Sequence, residues 1–200
     1  MKTRVNSINC LVFTGMFFVL GISAKAGNGD RVYLIPEQHG KVVVEAFSPQ
    51  KQAIAVDIIS NTDQEVVYNS DLHKDNFYGK IFNLSNLPEG DYTVQVQIGN
   101  ETFEDKIALG KAVPVILDAK TYFKPEFQDV GNTMVLTMLN PNSDQVVVSF
   151  WKDSEKFFVD PSDIHSSFRR KYNLKELEPG EYQVEVTAGS RAYEHTLNIR

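Results

Sequence analysis

Residues 27–200 read as an all-β chain made of two tandem β-sandwiches. Three observations predict this. Apolar and polar residues alternate over short segments, the period of a half-buried strand. No window keeps the 3.6-residue period of a helix. The second half of the sequence also repeats the first. At a shift of 92 residues, 42–73 lies on 134–165 without a gap, pairing Val43 with Val135, Pro49 with Pro141, Val56 with Val148 and Val67 with Val159. After a slip of two residues, 82–103 lies on 172–193, pairing Asn83 with Asn173, Tyr92 with Tyr182 and Gly99 with Gly189. This repeat is too long for a solenoid and fits two small domains, at 27–110 and 111–200.

The segment before them reads as a secretory signal peptide. Lys2 and Arg4 precede a short apolar run, 11–22 (LVFTGMFFVLGI), and Ala24-Lys25-Ala26 follows with small residues at the two positions a signal peptidase reads. The run is shorter than the ~20 residues a membrane span needs, so cleavage after Ala26 is expected and no transmembrane segment remains. Cys10, the single cysteine, leaves with the leader, which excludes a disulfide framework and a cysteine-ligated zinc site. Removing Lys2, Arg4 and Lys25 takes the net charge from −6 to −9. An acidic chain of this kind lacks the basic surplus that grips nucleic acid.

The strands follow in order. Residues 32–35 and 115–117 are expected to open the two units. Ile54, Val56 and Ile58 alternate with polar neighbours, as do Val146, Val148 and Phe150. Tyr92, Val94, Val96 and Ile98 share one face of a strand, and Tyr182, Val184, Val186 and Ala188 repeat it. Turns at Gly99-Asn100 and Gly189-Ser190 lead into 103–109 and 193–199, as in a hairpin. Residues 71–76 and 162–167 are expected to hold one short helical turn each. About seven strands per unit is the count of a two-sheet sandwich. The join at 110–114 is short and ends on Pro114, which predicts a restricted angle between the units.

Leu87-Pro-Glu-Gly90-Asp-Tyr92 and Leu177-Glu-Pro-Gly180-Glu-Tyr182 each predict a tight turn entering a strand. Gly90 and Gly180 take the awkward backbone angle. Tyr92 and Tyr182 pack while their hydroxyls tie back to the loop, the logic of a tyrosine corner. The fold expected is therefore immunoglobulin-like or fibronectin III-like. Residues 177–200 (LEPGEYQVEVTAGSRAYEHTLNIR) resemble the last strands of exported sandwich domains of Bacteroidota, above all the C-terminal sorting domain of the type IX secretion system. Asn140-Pro141, Leu177, Gly180, Tyr182 and the terminal 197–200 carry the resemblance, and Ser48-Pro49 stands in the first unit. The chain departs from that family at Asp153-Ser154-Glu155-Lys156, where its Asp-x-x-Gly turn would fall, and in ending on Arg200. The resemblance implies export and a sorting role for the last domain.

Side chains that could carry chemistry are few. Asp71/His73 and Asp163/His165 recur in both units but lack a third ligand at metal spacing, so packing and capping are expected. His39 and His195 read as surface residues. Glu101/Glu104 and Glu176/Glu178 read as solvated charge beside turns. The acidic groups Asp57, Asp63, Glu65 and Asp153, Glu155, Asp160 lack the Asp-x-Asp-x-Asp-Gly pattern of a calcium loop. No nucleophile elbow or phosphate loop occurs. Trp151 should point outward and Phe150 inward, with Phe157 and Phe158 split between faces. The basic run Arg169-Arg170-Lys171 reads as a guard against edge-to-edge pairing at a strand entrance, and Trp151 with its phenylalanines as core filling partly covered by the neighbouring domain; as the alternative, Trp151 and the basic run are the candidate partner contacts. The chain is thus expected to be non-catalytic, without cofactor or metal. It should act as a binding or structural module for a protein or glycan, in the periplasm, at the cell surface or outside the cell. The alternative is that its last domain is a sorting signal.

Overall fold

The computed structural model describes residues 29–70, 72–110, 112–162 and 164–200. The expected leader lies outside them. The described residues are strands and connections, with no helix.

The first unit holds β1 (Arg31–Glu37), β2 (Lys41–Ser60), β3 (Val66–Asn69), β4 (His73–Asn83), β5 (Gly90–Ile98), β6 (Glu101–Leu109) and β7 (Val115–Phe123). The second holds β8 (Glu126–Val130), β9 (Thr133–Leu139), β10 (Val146–Lys152), β11 (Glu155–Pro161), β12 (Ser167–Asn173), β13 (Gly180–Ala188) and β14 (Arg191–Ile199). In the second unit a three-stranded sheet, β12-β9-β8, accompanies a four-stranded sheet, β11-β10-β13-β14. All pairs are antiparallel. This is the two-sheet, Greek-key arrangement of an immunoglobulin-like sandwich of the fibronectin III kind.

The first unit makes the same two layers from one bent strand. The first part of β2 pairs with β1 and β4, and from Ile54 onward it pairs with β5. Between Phe47 and Gln52 its register with β4 shifts, which is where the strand turns from one layer to the other. The second unit breaks the chain at this point. Asn140 ends β9 by accepting from the backbone N–H of Asp144 and donating to the carbonyls of Asp144 and His165, at 3.2, 2.8 and 2.7 Å. In the first unit the position of Asn140 is held by Ser48, whose Oγ accepts from the side chain of Gln52 at 3.1 Å.

Two cores result, one per unit. Val32, Leu34, Val42, Val44 and Phe82 pack with Ile54, Val56, Val94, Val96 and Phe103 in the first. Met134, Leu136, Met138 and Phe168 pack with Val146, Val148, Phe150, Val184, Val186 and Leu197 in the second. The alternation that predicted the strands is the alternation of burial: β5 runs intermediate-buried from Asp91 to Ile98, and β13 buries Tyr182, Val184, Val186 and Ala188.

Three local expectations change. Residues 115–117 do not open the second unit. They start β7, which extends the edge of the first sheet beside β6, and Glu126–Val130 opens the second unit instead. Thus 110–114 connects two strands of one sheet, and Lys124-Pro125 lies between β7 and β8. Nor is there a helical turn in the described parts of 71–76 and 162–167. Ser70 and Ser162 are buried, and their hydroxyls accept the N–H groups of Val56 and Val146 at 2.6 and 3.2 Å. That pins the chain to the neighbouring strand ahead of β4 and β12.

The turns into β6 and β14 depend on glycine. Gly99 and Gly189 have φ of 54° and 58°, at the first central position of a two-residue hairpin loop. A Cβ on Gly189 would also lie 2.6 Å from a carboxylate oxygen of Asp144.

Candidate functional site

The corner residues sit where each layer closes. The Tyr92 hydroxyl donates to the carbonyl of Pro88 at 2.9 Å, and that of Tyr182 to the carbonyl of Glu178 at 3.0 Å. Both rings are buried in their cores. Gly90 and Gly180 have φ of 155° and 150°. Burial raises the Tyr92 phenol above its ordinary range, and the charge of Asp63 adds to it. These four residues hold the corners of the fold.

Beside the corner each unit has an open side. In the second unit β11 pairs with β10 alone and β12 with β9 alone, so two sheet edges border one gap. The gap is a cleft of about 330 Å³ lined by Phe150, Phe157, Phe158, Tyr172, Leu174 and Leu177, with Lys171 and Asn173 on its rim. A register shift between Phe150 and Trp151 makes Phe157 the unpaired residue of a bulge. Phe157 and Phe158 therefore do not split between faces. Both approach Phe150, with ring centroids 6.3 and 5.6 Å away, and Tyr172 closes the group at 5.0 Å from Phe150. Phe157 is 47% exposed and Phe158 45%, so half of each ring faces solvent.

The first unit repeats the cleft. Val67, Tyr68, Phe82, Leu84 and Leu87 line about 250 Å³ there. Leu84 and Leu87 match Leu174 and Leu177, and Phe82 matches Tyr172. The gapless sequence match sets Tyr68 on Asp160, but strand pairing sets it on Phe158. Ile58 faces Tyr68, and Phe150, the counterpart of Ile58, faces Phe158. The β10–β11 hairpin is shorter because Asp153 and Ser154, with φ of 51° and 66°, make a two-residue turn.

Of the basic run, Lys171 lines the cleft rim, and Arg170 pairs with Asp160 beside it. Its Nε lies 3.6 Å from Asp160, whose Oδ2 also accepts the Tyr172 hydroxyl at 2.9 Å. Burial raises the Tyr172 phenol far above its usual range, and the hydrogen bond to Asp160 and that residue's charge add to the effect. Arg169 is exposed and pairs in register with Thr137, on the outer side of the three-stranded sheet. Trp151 lies elsewhere, half-buried on the outer face of the four-stranded sheet, with Lys156 4.4 Å from its ring centre. The four candidate contacts thus fall on three surfaces rather than one.

The acid and histidine candidates do not converge. Among the described residues no three of His, Cys, Asp and Glu come together as metal ligands. Asp71, Asp163 and the side chain of His73 lie outside the described residues. His39 is exposed in the β1–β2 turn. His195 is not a free surface residue: its Nε2 lies 2.8 Å from Asp129, and its ring stacks on Phe127 at 4.3 Å. Glu101 and Glu104 are not a solvated pair either. Glu101 is 2% exposed, whereas Glu104 points out from β6 and holds Arg191. Glu178 is exposed and takes Lys152 at 3.3 Å.

Sequence reasoning missed the contact between units. Arg191, at the start of β14, forms an ion pair with Glu104 and donates to Gln95 at 2.7 Å, while its guanidinium lies 5.4 Å from the ring centre of Tyr122. Asn142 brackets the backbone of Thr121, accepting from its N–H at 3.2 Å and donating to its carbonyl at 2.8 Å. Tyr122 and Ser190 hydroxyls meet at 3.2 Å. Arg191 matches Glu101 in the repeat, so duplication concealed it. Also unread was the outer face of β1-β2-β4, where Phe47 pairs with Phe77 and Val43 with Ile81, three of these four well exposed.

No protein-family model matches the chain, and no curated protein resembles it in sequence. Among solved structures, the human OSCAR ligand-binding domain aligns at 10% identity and a TM-score of 0.25, covering 83% of this chain and 97% of that one. The DIP-gamma IG1+IG2 structure aligns at 13% identity and a TM-score of 0.21, covering 82% and 95%. Likenesses so loose bear on neither partner nor activity, and the sandwich architecture stands on the strand pairing itself.

Proposed function

We propose that this chain is a non-catalytic exported module that binds a protein or glycan partner in the periplasm, at the cell surface or outside the cell. The observation that carries the reading is the recurrence of one aromatic-lined cleft in both units, its rings half exposed in the second and largely covered in the first, each bordered by unpaired strand edges. Such a cleft suits an extended partner segment that adds to an edge and sets alternate side chains among the rings. The leader supports export, and the absence of a nucleophile motif or repeated ligand set in the sequence supports a role without turnover.

Affinity isolation from envelope fractions of the native host, with the chain and Phe158→Glu side by side, tests it. Phe158 is half exposed but packs on Phe150 and Tyr172, so far-UV circular dichroism and a urea midpoint first establish that the variant is folded. A partner retained by the parent chain and lost by the variant supports the cleft. Equal retention by both rejects it.

A second reading follows from residues 177–200, which resemble a type IX sorting domain. In it, the last sandwich is a secretion address. Deleting 171–200 in the native host and finding surface delivery unchanged would reject that reading.

A further inference from the structure

Glu185 and Glu194 stand directly opposite each other on β13 and β14. They line a shallow hollow of about 510 Å³ with Trp151, Glu181 and Gln183. Like charges in that relation destabilise a sheet. Neither carboxylate makes an ion pair among the described residues.

The first unit shows what this position does. Glu185 and Glu194 match Gln95 and Glu104, which stand opposite each other on β5 and β6. There both side chains hold one guanidinium, that of Arg191, which the next unit presents on a hairpin turn. Tyr122 supplies an aromatic ring beside it. The second unit keeps the pair, makes it more acidic by replacing Gln95 with Glu185, and has Trp151 bordering the hollow.

We propose that the Glu185–Glu194 face is a docking site for an arginine that a partner protein carries on an exposed β-turn. A second copy of this chain does not supply that arginine by the same geometry. The position of Arg191 in the first unit is Glu101, which is buried and acidic. A guanidinium spanning both carboxylates would relieve their repulsion and form charge-assisted hydrogen bonds to each. The inference rests on the reading of the chain as a binding module and gives that module a contact separate from the aromatic cleft.

The test is an NMR titration of the purified chain with a cyclised hairpin peptide that copies residues 187–193 (TAGSRAY), and with the same peptide carrying glutamine for arginine. The expected result is saturable shifts centred on the amides of Glu185 and Glu194, with the glutamine peptide about tenfold weaker. The Glu185→Gln/Glu194→Gln variant should lose the same factor and unfold at a higher denaturant concentration than the parent. Phe158→Glu should bind the peptide as the parent does, which separates this site from the cleft. Equal binding of the two peptides, or undiminished binding by the double variant, would overturn the proposal whatever becomes of the cleft.

Discussion

Ser154 occupies a left-handed backbone position that glycine adopts without cost, with φ of 66° in the β10–β11 turn. Ser154→Gly produces an Asp-Gly turn, the favoured pair for this hairpin geometry. It should raise stability by about 0.5–1 kcal/mol, read as a higher urea midpoint with unchanged slope. Tyr182→Phe removes the hydroxyl that donates to Glu178 while keeping the buried ring, and should cost about 1 kcal/mol. Tyr172 contributes to the alkaline limit. Its phenol pKa in the folded chain lies above the ordinary value of 10.0 because burial and Asp160 disfavour the phenolate. Above pH 10 the folded chain therefore holds more protons than the unfolded one. The stabilisation is complete below that pH and is lost as pH rises through the folded value. Denaturant midpoints falling above pH 10, with Tyr172→Phe flattening the fall, are expected; an unchanged slope in the variant would place the effect elsewhere.

At the scale of elements, legibility followed burial. β5 and β13 were plain because each has one face in a core and one outside, so composition alternates with period two. β7 was misplaced because it is a sheet edge: Val115 and Leu117 are about half exposed, and only Tyr122 is buried. An edge strand carries little pattern to read. Register was less legible still. The chain reads Phe157-Phe158 as opposite faces, but a bulge turns both to one side, and the two-residue turn slides β11 against its sequence match. The cleft, which needs that bulge, was therefore legible only as a dense aromatic group. Leu136→Ala in β9 tests the core assignment. Leu136 is fully buried in the second core, and truncation should cost about 2–5 kcal/mol. A cost below 1 kcal/mol would mean that β9 does not face β10 and β13.

At the scale of the molecule, the duplication was legible and the join was not. Alignment of the two units shows what they share, and Arg191 is what they do not. It ties the turn of the second unit to the outer face of the first, together with Asn142 and Tyr122. Arg191→Ala should leave each core intact and loosen the angle between units. Solution scattering should report a broader distribution of long distances for the variant than for the parent, and matching profiles would show that the contact does not set the angle.

The central claim is that partners enter at the open edges beside the repeated aromatic rings. Hydrogen–deuterium exchange of the chain, alone and with a partner isolated from the native host, tests it most directly. The account predicts slowed exchange at 66–69, 155–161 and 167–173 on binding. Protection confined to β8 and the outer faces of the sheets, with these edges unchanged, would contradict it.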